Sequence, residues 1–136
     1  MIKVITINTI GQGLTQITAE IQNVVQACGI QSGLCSLMIR HTSASLLIQE
    51  NADPSAQRDL ENWMNRMVSE NDSLYTHTSE GADDMPAHIK SMLTQTTLSV
   101  PFDHQQLLLG TWQGIFLWEH RHRPYRREVV IHLGAD

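Results

Sequence analysis

Apolar and polar positions alternate over Ile2 to Ile7, with Ile2 and Val4, then Ile5 and Ile7 after an offset. That period of two predicts an opening strand. From Thr15 to Cys28 the period changes: Ile17, Ile21, Val24, Val25 and Cys28 fall on one helical face, and Gly29 stands where a C-terminal cap belongs. Leu34 to His41 and Ser45 to Asn51 read as two strands joined by the polar segment HTSAS. A second helix follows, with Asp53 as its cap and Pro54 in its first turn. Leu60, Trp63, Met64, Met67 and Val68 form its expected buried stripe. Residues 69–84 are polar and long enough to suggest a functional loop. A third helix is predicted from about Met85 to Gln95, with Asp83 or Asp84 as cap and Pro86 in the first turn. Strands are then expected near Thr97–Phe102, Gln106–Gly110, Gly114–Arg121 and Arg126–Leu133. The sum, roughly seven strands with three helices, strands clustered late, is an α+β class.

Composition narrows the picture. The 136 residues, 41% hydrophobic, suffice for one core and not two, so residues 1–136 are expected to form a single domain. A net charge of −5 argues against nucleic acid or an anionic membrane surface as partner. No apolar run reaches the ~20 residues needed to span a bilayer, and the first residues lack the pattern of a signal peptide. Cys28 and Cys35 do not form a CxxC pair and suit two reduced thiols, so a cytoplasmic location is expected. Seven histidines are many for this length and favour metal or acid–base chemistry.

Three segments concentrate chemistry. In the first, Cys35, Leu37, Ile39 and His41 share one strand face, and Leu46, Ile48 and Glu50 share another. Apolar rows ending in His and Glu suit a pocket at a sheet edge. A satisfied core histidine and a plain helix cap at Asp53 are the alternatives. In the second, EGADDMPAHIK, three carboxylates precede a helix start that carries His88 and Lys90. Free amides of the first turn favour an anion, and the same carboxylates can instead hold a divalent cation. A capped helix with a solvated acidic lead-in is the bland account. In the third, residues 109–127, Glu119 closes the row of Ile115 and Leu117, while His120 and His122 form an HxH pair expected to point one way. The basic run of Arg121, Arg123, Arg126 and Arg127 faces either a phosphate or solvent. No GxxxxGK[ST], GxGxxG, HExxH, CxxC or GxSxG motif is present, which argues against P-loop, zincin and α/β-hydrolase chemistry.

The segments HTSASLLIQENADP (His41 to Pro54), EGADDMPAHIK (Glu80 to Lys90) and GTWQGIFLWEHR (Gly110 to Arg121) together resemble the YjbQ family, in its order and spacing, over roughly residues 1–133. The resemblance implies a two-sheet α+β sandwich that assembles as a homotrimer. It also implies a pocket lined by signature residues near subunit boundaries, and a secondary thiamine-phosphate synthase activity. That reaction joins hydroxymethylpyrimidine pyrophosphate to a thiazole phosphate and releases pyrophosphate.

Carried over by position, the first signature contributes His41, Thr42, Ser43, Glu50, Asn51 and Asp53. The second contributes Glu80, Gly81, Asp84, His88 and Lys90, and the third Trp112, Gln113 and Glu119. His41, Glu50, His88 and Glu119 are the catalytic candidates, with His41 as general acid/base. Thr42, Ser43, Asn51, Lys90, Trp112 and Gln113 are expected to bind substrate or phosphate, and Trp112 to flank the pyrimidine. Glu80, Asp84 and His120 are candidate ligands of a divalent cation, Mg²⁺ or Zn²⁺. Pyrophosphate is expected at the helix start near Met85, neutralised by Lys90 and protonated His88. Two other readings stand beside this one: a phosphate- or metal-binding trimer without catalysis, and a hydrolase with Zn²⁺ held by His41, His88 and His120. In one respect the chain departs from the family: Asp103-His104-Gln105-Gln106 fills a turn that often holds glycine, which is expected to change that turn and not the pocket.

Overall fold

The computed structural model describes residues 1–136. In chain order it runs β1 (Ile2–Asn8), β2 (Gly13–Gln16), α1 (Thr18–Ala27), β3 (Gly33–Ile39), β4 (Ala44–Glu50), α2 (Pro54–Met67), α3 (Asp84–Leu93), β5 (Thr97–Asp103), β6 (Gln106–Leu107), β7 (Gln113–Glu119) and β8 (Arg126–Ala135). Two antiparallel sheets result, ordered β1-β8-β3-β5-β6 and β2-β7-β4. The expected α+β two-sheet class holds.

Period-two rows explain why the sheets stack. Cys35, Leu37 and Ile39 of β3 and Val129, Ile131 and Leu133 of β8 turn inward. Leu46 of β4 and Ile115 and Leu117 of β7 meet them from the other sheet. Helix α1 adds Ile21 and Val25 to the same core. Full burial of each large apolar side chain contributes about 1.5–3 kcal/mol, which locks the register. The outer face of the three-stranded sheet carries a second, smaller core: Met64, Val68 and Trp118, with Leu60 and Ile89 packed against them. Covered on both faces, β7 is buried from Gly114 onward.

Several expectations need correction. An eighth strand, β2, occupies Gly13–Gln16, so α1 starts at Thr18 and not at Thr15. Four residues are too few to show a period, and the apolar repeat of α1 masks them. Gly29 does adopt the left-handed φ of +76° that ends a helix. Along α2 only the narrow row Leu60, Met64, Val68 packs inward, while Trp63 and Met67 are 49% and 58% exposed. The strand expected at Gln106–Gly110 shrinks to Gln106–Leu107. Between β5 and β6, His104 and Gln105 both take positive φ, 49° and 60°. That is the two-residue hairpin shape usually given to Asn-Gly, so the turn keeps a glycine-favouring geometry without glycine. No helix is long and apolar enough to cross a membrane.

One end of the sandwich matters most. There the chain leaves β3 of the five-stranded sheet, turns through Arg40 to Ser43, and enters β4 of the three-stranded sheet. The end of β7 and the start of β8 lie at the same edge, because Ala44 pairs with Glu119 and Ile39 with Val129.

Candidate functional site

Helix α3 crosses this edge and brings Asp84 and His88, at i and i+4, onto one face. His88 shares a hydrogen bond between Nδ1 and the Thr42 carbonyl at 3.0 Å, in which the nitrogen must be the donor. Its Nε2 lies 3.2 Å from Asp84 Oδ2. His77, from the irregular segment before α3, places its Nε2 2.7 Å from the same oxygen. The ligand atoms of His77, Asp84 and His88 all fall within 4.8 Å of one another. Arg121 takes the other carboxylate oxygen of Asp84 at 2.7 Å and also binds Asp83, fixing the carboxylate from behind. Burial opposes the charge on Asp84, but His77, His88 and Arg121 outweigh it and hold the group below the usual carboxylate range.

Beside this cluster, His41 and His88 line one cleft with Thr42, Ser91, Met92 and Thr96. It runs on, through His41, Thr42 and Thr96, into an open cleft of about 650 Å³ bounded by Ser43, Arg40 and Arg127. His41 Nε2 accepts the Glu128 amide N–H at 2.8 Å, so the ring proton sits on Nδ1. Burial, and next the nearby Arg127 charge, push its pKa below the usual histidine value. His41 is therefore a neutral hydrogen-bond donor, and the general acid/base role is corrected: giving up its one proton would leave an imidazolate.

Glu119, expected as a catalytic group, is fully buried, with its carboxylate taken up by neighbouring donors. It accepts hydrogen bonds from Thr9 Oγ1 at 2.7 Å, from Arg127 Nε at 2.8 Å, from Arg127 Nη2 and from the Arg121 amide. Arg127 also donates through Nη2 to Ser43 Oγ at 2.9 Å. The basic run thus splits: Arg121 and Arg127 turn inward, whereas Arg123 and Arg126 face solvent.

Other expected site residues lie elsewhere. Glu50 ends β4, six residues from Ala44, roughly 20 Å away at 3.3 Å per residue. There it borders a groove with Asp59, Leu60 and Trp63. Asn51 pairs with Trp112 and Gln113 at that same far end, and Trp112 is exposed. Asp53 does no more than cap α2, its Oδ1 accepting the Ser55 N–H. Glu80 meets Arg121 through its carbonyl, not its carboxylate. Lys90 points away from the cleft into the second core, where it donates to Asn65 Oδ1 at 2.7 Å. Burial lowers its pKa, against the pull of Glu70 and Asp83.

The HxH pair does not act as one. His120 is buried and bonded to Ser45 Oγ at 2.8 Å, while His122 faces out to Glu70. The strand ends at Glu119, so the period of two breaks between them. The ligand atoms that converge belong to His77, Asp84 and His88 and not to a His41–His88–His120 set, and Asp83 and Asp84 make the α3 start an acidic seat for pyrophosphate.

His77 was not among the expected residues. Its only signal was its place within a long polar loop, and no spacing rule links it to a helix beginning seven residues later.

The sequence profile of the family described as UPF0047 protein YjbQ-like matches residues 3–136. The UPF0047 protein sll1880 of Synechocystis sp. is 49% identical over 98% of this chain and 91% of its own length. The UPF0047 protein YjbQ of Escherichia coli O157:H7 is 40% identical over 98% and 97% of the two chains. Among solved structures, the conserved hypothetical protein TT1486 of Thermus thermophilus superposes with a TM-score of 0.88 at 30% identity, covering 97% of this chain and 99% of that one.

Proposed function

The chain belongs to the YjbQ-like UPF0047 family, and we propose that it is a metal-dependent enzyme acting on a small molecule held in the cleft beside His41. The observation that carries this reading is the meeting of two imidazole nitrogens and one carboxylate oxygen, His77 Nε2, His88 Nε2 and Asp84 Oδ2. Such a set suits Zn²⁺, Mn²⁺, Fe²⁺ or Co²⁺ better than Mg²⁺, which prefers oxygen ligands. Three protein ligands leave positions open for water or substrate. The ion would supply a Lewis acid and a water of lowered pKa.

Hydrolysis fits these parts best. In a hydrolysis, water would add to the substrate's carbonyl or phosphoryl centre as that centre's bond to the leaving oxygen breaks, the water's proton going to the leaving oxygen. An ion held by His77, Asp84 and His88 would supply the Lewis acid. His41 Nδ1–H orients the substrate and keeps its own proton.

A thiamine-phosphate synthase-type transfer is the second reading, supported by a cleft of about 650 Å³, wide enough for two small substrates. There the ion would neutralise the departing pyrophosphate. Assays separate the two: hydrolysis releases product from one substrate, whereas the transfer forms thiamine phosphate only when both are present. His88→Ala should abolish turnover with the fold intact, and a fully active variant would reject both readings. A protein that binds ion and ligand without turnover would be a binding module.

Assembly as a homotrimer is part of the proposal. It is supported by the outer face of the five-stranded sheet, where Ile2, Val4, Leu34 and Met38 are exposed together. Light scattering would test it. The free thiols Cys28 and Cys35 agree with a cytoplasmic location.

A further inference from the structure

Arg127 is 4% exposed, yet it is only partly satisfied. Its Nε and Nη2 grip Glu119 side-on, and Nη2 also reaches Ser43. Nη1 has no acceptor in the protein, although the residue lines the cleft. That nitrogen is not sealed off from solvent: it opens on the cleft, where its N–H groups stay available to a ligand. Glu119 and the Tyr125 ring, whose centroid is 4.5 Å from Arg127 Cζ, hold the guanidinium plane. Three further donors line the same wall. His41 offers Nδ1–H, since Nε2 is occupied by the Glu128 amide, and the Thr42 and Ser43 amides donate to no protein acceptor.

We propose that the substrate carries a terminal phosphate monoester, seated at the His41–Ser43 turn. Arg127 Nη1, His41 Nδ1–H and the two amides hold it, and Glu119 serves as the positioning residue behind Arg127. Two N–H groups on Nη1, one on His41 and two on the backbone supply more donors than the roughly four acceptor sites of a carboxylate can use. Three terminal phosphate oxygens can use them all. A phosphodiester has only two such oxygens and fits less well. Glu119 cancels the Arg127 charge, so the seat works through aimed hydrogen bonds, preorganised before the ligand arrives. The remaining negative charge of the phosphate would face the cation at His77, Asp84 and His88.

This assignment rests on the cleft being the substrate site of that metal centre, but phosphate binding can be measured without the ion. The full-length protein, treated with chelator, is titrated calorimetrically with inorganic phosphate, methyl phosphate, dimethyl phosphate and acetate. Phosphate and methyl phosphate should bind alike, and dimethyl phosphate and acetate about tenfold or more weaker. The double variant Glu119→Gln/Arg127→Gln, which keeps the pair neutral, should lose about tenfold or more in phosphate affinity while taking up metal as the native chain does. His41→Phe removes one donor and should weaken phosphate similarly, which keeps the test decisive if the double variant does not fold. No phosphate binding at millimolar concentration, equal binding of acetate, or unchanged affinity in the folded variants would overturn the assignment. Phosphate binding through Arg127 in a chain that never takes up metal would sustain it and sink the metal-dependent reading instead.

Discussion

His88 donates its Nδ1–H to the Thr42 carbonyl at 3.0 Å, and that bond decides what its other nitrogen can do. With Nδ1–H committed, it is Nε2 that faces Asp84 Oδ2, 3.2 Å away, and a lone pair there would meet the carboxylate's own. Two lone pairs facing each other call for a proton or a metal ion between them. The same bond ties α3 to the cleft-lining turn at Thr42, so metal site and cleft are coupled through the backbone. His77→Ala should lower affinity for Zn²⁺ or Mn²⁺ by at least about tenfold, and His88→Ala by more, since it also frees the turn. Competition with a chromophoric chelator measures both.

Arg121 reaches Asp84 Oδ1 at 2.7 Å and Asp83 at 3.0 Å from the side away from the two histidines. Lys presents a point charge in place of a planar fork and cannot reproduce both contacts. Arg121→Lys should therefore reduce metal affinity about 10- to 100-fold without unfolding the chain. Metal titration beside circular dichroism checks this.

Glu119 and Arg127 form a buried pair, 0% and 4% exposed in their side chains. Removing one partner leaves an uncompensated charge in the interior. Glu119→Ala should cost about 3–5 kcal/mol by urea unfolding, and Glu119→Gln/Arg127→Gln much less. Equal losses in the two variants would contradict the pairing.

His120 gives stability a pH dependence of definite sign. Burial, then the charges of Lys90 and Arg127, push its pKa down to about 3, from 6.5. Between those values the unfolded chain binds a proton that the native chain does not, so stability rises with pH and is fully present above about 6.5. From pH 6.5 to pH 5 this group alone should remove about 2 kcal/mol. Urea midpoints at the two pH values test it, and His120→Asn should flatten the slope.

His104 and Gln105 hold positive φ without being glycine, 49° and 60°. Replacing them with Asn-Gly should stabilise the hairpin by about 1 kcal/mol, read as a rise in the urea midpoint.

Much of this was legible in the sequence, and the gaps have physical causes. Long apolar periods gave α1, α2 and the central strands, because burial of a face imposes the period. Asp53 and Pro54 marked the start of α2 through local capping chemistry. The short strand β2 carries no period, and the exposure of Trp63 and Met67 depends on how wide a helix face the sheet covers. Asp84, His88 and His41 could be singled out from the sequence, and the fold brings them to one edge, but their contacts could not be read there. A sequence does not show that the Glu128 amide takes His41 Nε2. Nor does it show that His77 folds back onto Asp84, or that Glu50 and Trp112 sit at the opposite end of β4 and β7 from His41.

The most direct test is elemental analysis of the purified, full-length chain after equilibration with Zn²⁺, Mn²⁺ or Co²⁺ and removal of loose ions. About one tightly held ion per chain is expected, falling to background in His77→Ala/His88→Ala while the fold is retained. No bound ion in the native chain, or the same content in the double variant, would contradict the metal-centred account.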